Sequence, residues 1–264
     1  MKNLYIIKIG GNILDDENSL NKFLADFVQL QGLKILVHGG GKLATELSGK
    51  LNIETRMVQG RRITDGETLK ITAMVYAGWI NKSIIAKLQA LNCNSLGLSG
   101  ADGKIISAKK REVKEIDYGY VGDILPEGIN TSFLQNILEF GVTPVIAPVT
   151  ADNSGQLLNV NADTIASAMA VGLSEIYNTH LIYCFEKKGV LSDKNNDNSV
   201  IEKINTGNYE KLKTENIIAD GMIPKLDNAF KAKQEGVTSV VIGHASDLLT
   251  FINTEQNAGT YIYN

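Results

Sequence analysis

The chain has 264 residues, of which 44% are hydrophobic and 21% are charged, and its formal net charge is -3. This composition is typical of a globular protein with a large core, and it excludes a predominantly disordered chain. The chain contains no block rich in lysine and arginine, so we expect no nucleic-acid partner and favour a small-molecule ligand.

Strand-like and helix-like segments alternate through the first half of the chain. The pattern predicts strands at 4–9, 33–37 and 94–98, and helices at about 17–31, 42–52 and 65–91. Such alternation is typical of a parallel sheet covered by helices. Between 101 and 123, short apolar pairs are separated by charged and glycine-containing turns, which predicts β-hairpins over the edge of the sheet.

The second half continues the alternation. It predicts strands at 143–147, 176–184, 238–242 and 259–263, and helices at 130–140, 164–171, about 208–214 and 224–236. Asn161 is the expected N-cap of the helix 164–171, which places Asp163 in a positive first turn. We therefore predict an α/β fold in which a mainly parallel open sheet is sandwiched between helices.

Domain boundaries are only weakly indicated. No linker rich in proline, glycine or serine is present, and the pattern is interrupted only near 150–175. We predict an amino-terminal lobe, 1–175, and a carboxyl-terminal lobe, 176–264, that share one continuous sheet.

The cysteines and the amino terminus bear on the cellular compartment. Cys93 and Cys184 form no C-x-x-C pair, so the sequence indicates neither a disulfide framework nor a cysteine zinc site. The first predicted strand begins within four residues, which leaves no room for a signal peptide. No apolar run approaches the roughly 20 residues that a spanning helix requires. We expect a cytoplasmic protein with no membrane partner.

Glycine and lysine cluster where predicted strands end or helices begin. The three segments are Lys8-Ile9-Gly10-Gly11-Asn12, His38-Gly39-Gly40-Gly41 and Gly221-Met222-Ile223-Pro224-Lys225. Glycine allows backbone amides to approach an anion closely, and lysine supplies positive charge. Together the segments predict a site for a highly charged phosphate group.

The common nucleotide-binding motifs are absent. The segment 38–43 lacks both the glycine spacing of a Walker loop and the Ser or Thr that would hold magnesium. Gly97, Gly100 and Gly103 do not fit the dinucleotide fingerprint, and the catalytic set of protein kinases is missing. Nicotinamide binding and protein phosphorylation therefore lose their main support.

Five motifs in chain order resemble the amino-acid kinase superfamily and, within it, the acetylglutamate kinases. They are Lys-x-Gly-Gly at 8–11, His-Gly-Gly-Gly at 38–41, Gly-x-Arg-x-Thr at 60–64, Asn-x-Asn-Ala-Asp at 159–163 and Asp-Gly-Met-x-x-Lys at 220–225. The resemblance implies ATP-dependent phosphorylation of the side-chain carboxylate of N-acetyl-L-glutamate or a related N-acylglutamate, the second step of arginine biosynthesis. It also implies that 1–175 binds the acylglutamate and forms a dimer, whereas 176–264 binds ATP.

The resemblance assigns catalytic roles to Lys8, Lys225 and Asp163. The lysines would compensate for negative charge on the transferring phosphoryl group, and Asp163 would hold both ammonium groups in place. The attacking carboxylate, with an ordinary pKa of about 4.3, is already ionised at neutral pH and needs no general base. Mg2+ would be held mainly by ATP and water, so no residue is assigned as a metal ligand.

The resemblance also implies positions that bind the two substrates. For the acceptor they are Gly40, Gly41, Arg62 and Asn159, with Arg62 binding the α-carboxylate and Asn159 the acylated nitrogen. For the nucleotide they are Gly10, Gly11, Glu186, Gly189, Leu191, Ile217 and Ala219. Glu186 stands in a segment, 185–191, that departs from the family's usual Thr-Asp-Val-x-Gly-Val-Leu pattern.

Several alternatives remain open at this stage. Arg61 replaces an apolar residue of the family, which leaves the acyl group open between acetyl and a larger group such as succinyl. A sister kinase acting on another acceptor, or a non-catalytic amino-acid sensor on the same fold, is also possible. The early first strand leaves no room for the amino-terminal helix of arginine-inhibited members, so we expect an arginine-insensitive homodimer.

Some residues have simpler interpretations. Asp163 could stabilise its helix without a catalytic duty. His38 is interpreted as a hydrogen-bonded structural residue. Met74, Tyr76 and Trp79 on the predicted long helix are interpreted as core or dimer surface.

Overall fold

The apolar runs of the sequence become strands in a computed structural model, which describes residues 1–58, 61–218, 222–252 and 258–263. The strands within these ranges are β1 (Asn3–Ile9), β2 (Leu33–His38), β3 (Met57–Val58), β4 (Arg61–Arg62), β5 (Ser95–Ser99), β6 (Ile106–Lys110), β7 (Gly122–Ile129), β8 (Thr143–Ala147), β9 (Val149–Ala151), β10 (Leu157–Asn159), β11 (Asn178–Phe185), β12 (Lys203–Ile204), β13 (Ser239–His244) and β14 (Thr260–Ile262).

Eight strands form the main sheet, in the order β12-β14-β13-β11-β1-β2-β8-β5. Neighbouring strands are parallel except for the antiparallel pair of β13 and β14. A smaller sheet has the order β10-β9-β6-β7, and β3 and β4 form a separate hairpin. The mainly parallel sheet confirms the predicted fold class.

The helices of the described ranges alternate with these strands. They are α1 (Gly11–Asp15), α2 (Glu17–Gln29), α3 (Gly41–Lys50), α4 (Gly66–Ala73), α5 (Asn81–Ala90), α6 (Thr131–Glu139), α7 (Ala162–Gly172), α8 (Thr206–Thr214), α9 (Ile223–Gln234) and α10 (Leu248–Ile252). A π-helical segment, Met74–Ile80, joins α4 to α5, and short 3-10 turns lie at Asp102–Lys104 and Ala245–Asp247.

The core lies on both faces of the sheet, as β1 illustrates. Leu4 and Ile6 belong to a cluster with buried residues of α7 and α9. Tyr5, Ile7 and Ile9 belong to a second cluster, with buried residues of α2 and α5. A strand that is buried on both faces is an uninterrupted apolar run, which is the pattern that predicted it.

Most predicted elements form close to their expected bounds, and the predicted strand 143–147 coincides with β8. The predicted helix 65–91 is interrupted by the π-helical segment. The hairpin of β6 and β7 extends to Ile129, past its expected end at 123. The shortest strands were not predicted, because two or three residues carry too little periodicity. The division at 175 stays a prediction. β1 of the first half pairs with β11 of the second, so one sheet spans both parts of the chain.

The parallel register brings the functional segments together. Ile9 pairs with both His38 and Cys184, so β1, β2 and β11 end at the same edge of the sheet. Ligands of open α/β sheets bind outside this carboxyl edge. Gly10 and Gly11 follow β1 there, and Gly39 to Gly41 follow β2.

A buried lysine closes the carboxyl end of α2. Lys34 Nζ donates hydrogen bonds to the carbonyl oxygens of Phe27, Val28 and Leu30 at 2.9, 3.1 and 3.0 Å. These carbonyl groups lie where a helix leaves its acceptors without helical partners and carries partial negative charge. Burial lowers the pKa of Lys34, and the three acceptors are what the ammonium group gains in exchange for water.

We expect Lys34→Met to lower the free energy of unfolding by about 2 kcal/mol, because the carbonyl groups lose their charged donor. The matched control is Lys50→Met, which removes an exposed lysine from the last turn of α3. Urea unfolding of both variants checks the prediction. Equal stability of the two variants would contradict the capping role of Lys34.

Candidate functional site

One carboxylate bridges two ammonium groups at the carboxyl edge of the sheet. Lys8 lies near the end of β1, Asp163 in the first turn of α7 and Lys225 in the first turn of α9. Lys8 Nζ is 2.7 Å from Asp163 Oδ1, and Lys225 Nζ donates a hydrogen bond to Asp163 Oδ2 at 2.9 Å. The three side chains are only 10 to 15% exposed.

Local structure fixes Asp163 in this position. The side chain of Asn161 accepts hydrogen bonds from the backbone amides of Asp163 and Thr164 at 2.8 and 3.1 Å, which confirms the predicted N-cap. The hydroxyl of Tyr183, on β11, donates to the carbonyl oxygen of Asp163 at 3.1 Å. The start of α7 is therefore attached to the central sheet, and its positive end favours the ionised carboxylate.

The charges of the cluster determine its protonation. Burial opposes ionisation of Asp163, but the positive charges of Lys225 and Lys8 and their hydrogen bonds outweigh it and hold its pKa well below the ordinary range. Burial lowers the pKa of Lys225, and Asp163 opposes that change, while Lys8 adds to it. Asp163 is thus a permanent anion that balances charge and cannot act as a general base near neutral pH.

Two aromatic rings lie close to the ammonium group of Lys225. Its Nζ lies 4.9 Å from the ring centre of Tyr183 and 5.9 Å from that of Phe185. Ring faces attract cations at such distances and compensate in part for lost water. The negative charge of Glu186 also favours the charged form of Lys225.

A cavity of about 270 Å³ extends from this cluster toward β4. Of the residues predicted to bind substrates or to act in catalysis, it is lined by Lys8, Gly11, Gly40, Gly41, Arg62, Asn159 and Asp163. Residues that are separated by up to 155 positions in the chain, Lys8 and Asp163, therefore share one wall. Lysine and arginine in its lining suit a ligand that carries more than one anionic group.

Arg62 is oriented by neutral acceptors. Its Nη2 donates to the carbonyl oxygen of Gly41 at 2.7 Å and to Thr45 Oγ1 at 2.8 Å, and its Nη1 donates to Thr55 Oγ1 at 3.3 Å. No carboxylate is among these partners, so the positive charge of Arg62 remains available to a ligand. Arg62 is 8% exposed, and an anion there would be held in a largely water-free place.

Asn159 is linked to Arg62 through Thr64. Asn159 Nδ2 donates to Thr64 Oγ1 at 3.0 Å, and that hydroxyl donates to the carbonyl oxygen of Arg62 at 3.2 Å. The chain of hydrogen bonds fixes the amide of Asn159 at the end of β10. The two residues predicted to bind the acceptor therefore lie in one connected network.

Gly40 has a conformation that only glycine adopts readily. Its φ is +150°, and a Cβ atom there would overlap the side chains of Ile80 and Tyr76. The backbone of this loop consequently packs directly against the π-helical segment. The loop begins at His38, which is fully buried and whose Nδ1 lies 2.8 Å from the carbonyl oxygen of Gly39.

The contacts of His38 confirm that it is a hydrogen-bonded structural residue. Burial lowers its pKa to about 4, so the ring is neutral near pH 7. Such a ring donates from Nδ1 to Gly39 and accepts at Nε2 from Asn81 Nδ2, 3.2 Å away. Asn81 also donates to the carbonyl oxygen of Val145 at 3.0 Å, which connects the glycine loop to α5 and β8.

The residues that were predicted to bind the nucleotide do not all line one cavity. Gly10 lies beside Lys8, since a Cβ atom there would be 3.9 Å from Lys8 Nζ. Glu186 lines a second cavity, of about 210 Å³, with Asn12 and His244. Gly189 packs against Thr260 and Val200, while Leu191 pairs with Val200. Ile217 follows α8. Ala219 lies outside the described residues, as do Gly60, Asp220 and Gly221 of the quoted motifs.

Tyr76, Arg111 and Asp123 are among the residues that line the 270 Å³ cavity but were not predicted as site residues. Arg111 and Asp123 belong to the hairpin of β6 and β7, where charged residues look like ordinary solvent-exposed turns. Tyr76 is buried, as the core interpretation expects, whereas Met74 and Trp79 are 55% and 72% exposed. Arg111 and Asp123 could have been identified only from their pairing across the hairpin.

The described ranges hold no candidate metal site and no candidate membrane span. They contain no group of three or more His, Cys, Asp or Glu side chains arranged to hold a metal ion. Within the same ranges, no helix combines the length and the apolar character that crossing a membrane requires.

Comparisons with known proteins identify the family of the chain. Residues 3–244 match the model of the Amino acid kinase family. The chain is 53% identical to an acetylglutamate kinase of Cytophaga hutchinsonii over 261 residues, covering 98% of each chain. It is 51% identical to an acetylglutamate kinase of Bacteroides fragilis over 247 residues, covering 94% of each. The solved structure of smu.665 from Streptococcus mutans has a TM-score of 0.80 at 27% identity and covers 98% of each chain.

We expect Asp163→Asn to destabilise the protein by roughly 3 kcal/mol at pH 7, because two buried ammonium groups lose their counter-charge. The folded-state pKa of Asp163 lies below its ordinary value of 3.8, so its stabilisation is present above that value and is lost as the pH falls. The difference between wild type and variant should therefore shrink by about 1 kcal/mol by pH 3.

Urea unfolding between pH 7 and pH 3 measures this difference. The matched control is Glu67→Gln, which removes an exposed acid from the first turn of α4. We expect a much smaller loss for it, because solvent screens its charge. Equal losses of unfolding free energy in the two variants would show that Asp163 contributes no more than an ordinary acidic residue at a helix start.

Proposed function

The chain belongs to the amino acid kinase family, and we propose that it transfers the γ-phosphoryl group of ATP to the side-chain carboxylate of N-acetyl-L-glutamate. This reaction is the second step of arginine biosynthesis. Identity of about 50% with acetylglutamate kinases over nearly the whole chain supports it. The observation that carries the proposal is the Lys8-Asp163-Lys225 cluster beside a cavity that Lys8, Asp163 and Arg62 all line.

The cavity meets the demands of the acceptor. N-acetylglutamate carries two carboxylates, and both are ionised at neutral pH because their ordinary pKa values lie near 4. Arg62 binds the α-carboxylate, and Asn159 contacts the acylated nitrogen. The side-chain carboxylate then lies toward Lys8, where it attacks the γ-phosphorus without a general base, and the bond to the bridging oxygen breaks as ADP leaves.

The cluster meets the demands of the phosphoryl group. Phosphoryl transfer depends mainly on placement and on compensation of negative charge. Lys8 and Lys225 provide that compensation from two sides, and the amides of Gly10 and Gly11 contact the phosphoryl oxygens. Asp163 keeps the lysines in place when the site is empty, which makes it a positioning residue.

ATP lies on the carboxyl-terminal side of the cluster in this proposal. Lys225 approaches its phosphates, and Glu186, Gly189, Leu191, Ile217 and Ala219 lie along the nucleotide. ATP phosphates and water supply most ligands of Mg2+, an arrangement typical of this ion. The lobe 1–175 then binds the acceptor, the lobe 176–264 binds the nucleotide, and the reaction takes place in the cytoplasm.

N-succinylglutamate is the second candidate acceptor, and one observation favours it. Arg61 lines the cavity beside Arg62, although N-acetylglutamate has no third anionic group to pair with it. A terminal carboxylate on the acyl group would provide that partner. The reaction at the side-chain carboxylate would be unchanged.

The proposed assembly is a homodimer. Trp79 and Met74 expose apolar side chains on the π-helical segment, and Leu96 is 43% exposed on β5, the edge strand of the main sheet. Association of two copies through this side of the molecule would remove these groups from water. Light scattering should give twice the chain mass of 28.7 kDa; the mass of a single chain would refute the dimer.

An acceptor panel tests the function. The purified protein is supplied with ATP, Mg2+ and one acceptor at a time, and hydroxylamine traps any acyl phosphate. N-acetylglutamate should give product, and comparison with N-succinylglutamate identifies the acyl group. Activity only on glutamate, aspartate, carbamate or a nucleoside monophosphate would assign the protein to a sister kinase, and binding without turnover would assign it to a sensor.

We expect Lys8→Arg to lower kcat at least about 100-fold with little change in the KM for ATP, since Lys8 acts mainly in the transition state. A planar guanidinium cannot replace a compact ammonium in this geometry. Lys42→Arg is the matched control, because Lys42 pairs with Asp15 near the same glycine segments but is 61% exposed. Wild-type turnover of Lys8→Arg would remove Lys8 from the mechanism.

A further inference from the structure

One guanidinium in the wall of the cavity has a nitrogen without a partner. Arg111 Nη1 is buried and makes no hydrogen bond within the described residues. Arg111 lines the same cavity as Lys8, Arg62 and Asn159. A buried donor without a partner costs free energy, so its persistence beside a ligand cavity indicates that a ligand supplies the acceptor.

The rest of the Arg111 side chain is firmly held. Its Nε lies 3.0 and 3.3 Å from the two carboxylate oxygens of Asp123, and its Nη2 lies 2.5 Å from Asp123 Oδ1. Its guanidinium carbon is 5.4 Å from the ring centre of Tyr118. Asp123 thus occupies one edge of the planar group, which leaves Nη1 as the donor at the other edge.

The backbone reinforces this orientation. The amide of Arg111 donates to the carbonyl oxygen of Val121 at 2.8 Å, next to the pairing of Lys110 with Gly122. Val121, Gly122 and Asp123 all line the cavity. The hairpin of β6 and β7 therefore holds the Arg111 side chain in the wall of the cavity.

The proposed acceptor has an oxygen that needs such a donor. Its side-chain carboxylate lies toward Lys8, and its α-carboxylate is assigned to Arg62. The acyl carbonyl oxygen is then the polar group still without a charged partner. Because Asp123 already balances the charge of Arg111, the guanidinium can donate a hydrogen bond to a neutral carbonyl oxygen and needs no second anionic partner.

We propose that Arg111, oriented by Asp123, is a specificity-determining residue that donates a hydrogen bond from Nη1 to the acyl oxygen of the N-acylglutamate. The proposal rests on the function proposed above. It explains how the site distinguishes an acylated glutamate from free glutamate, which has no such oxygen and carries an ammonium group that Arg111 would repel.

The first test is the kinetics of Arg111→Met with N-acetylglutamate. Loss of a charged hydrogen bond should raise the KM for N-acetylglutamate about 10- to 100-fold, while kcat and the KM for ATP change less than about threefold. Asp123→Asn should raise the same KM by a smaller factor, because the guanidinium loses its orientation. A wild-type KM in Arg111→Met would overturn the proposal.

A second arm separates the acyl oxygen from the α-carboxylate. Two truncated acceptors compete with N-acetylglutamate: 4-acetamidobutyrate, which lacks the α-carboxylate, and 2-methylglutarate, which lacks the acyl group. Arg111→Met should weaken inhibition by 4-acetamidobutyrate at least about tenfold and leave inhibition by 2-methylglutarate within about threefold. The reverse pattern would assign Arg111 to the α-carboxylate and overturn the proposal.

Chemical rescue excludes a merely structural role. Added guanidinium ion should lower the KM of Arg111→Ala toward the wild-type value, whereas ammonium at the same concentration should not. Failure of rescue together with a lowered urea midpoint would show that Arg111 only stabilises the hairpin. Lys109→Met, which removes an exposed ion pair with Glu112 on the same hairpin, should keep wild-type kinetics.

The outcomes distinguish this proposal from the function on which it rests. If the wild type phosphorylates N-acetylglutamate but Arg111→Met has an unchanged KM, only the role of Arg111 fails. If the wild type phosphorylates no N-acylglutamate, the proposed function itself fails.

Discussion

The site depends on a single anion shared by two cations. Asp163 lies between Lys8 and Lys225, and all three are almost removed from water. Without Asp163, two like charges would face each other where little solvent screens them, and the lysines would separate or lose protons. The cluster keeps a surplus of one positive charge, which suits it to an incoming phosphate.

The fold provides this arrangement through its sheet. Parallel strands end at a common edge, so the glycine segments after β1 and β2 lie at the same edge although α1 and α2 separate the two strands in sequence. The helices α7 and α9 begin at the same edge and bring Asp163 and Lys225. After β2, the packing of Gly40 against Tyr76 attaches the glycine loop to the π-helical segment.

Sequence motifs predicted the Lys8-Asp163-Lys225 cluster because each of its residues stands in a recognisable local context. Lys8 follows an apolar run, Asp163 follows a capping asparagine, and Lys225 follows a proline at a helix start. Arg111 and Asp123 have no such context, because their meaning comes from pairing across a hairpin. The parallel sheet was predictable from periodicity, whereas the π-helical segment depends on tertiary packing that periodicity does not encode.

The positions of Lys8, Asp163 and Lys225 along the chain determine the order in which a newly synthesised polypeptide assembles the cluster. During synthesis, Lys8 and Asp163 emerge from the ribosome well before Lys225, which lies in the last α-helix but one of the described residues. Until α9 docks, the nascent polypeptide has a carboxylate with only one ammonium partner. In the proposed mechanism, the full positive charge for a phosphate dianion would therefore be assembled only after α9 docks, and truncated translation products would lack it.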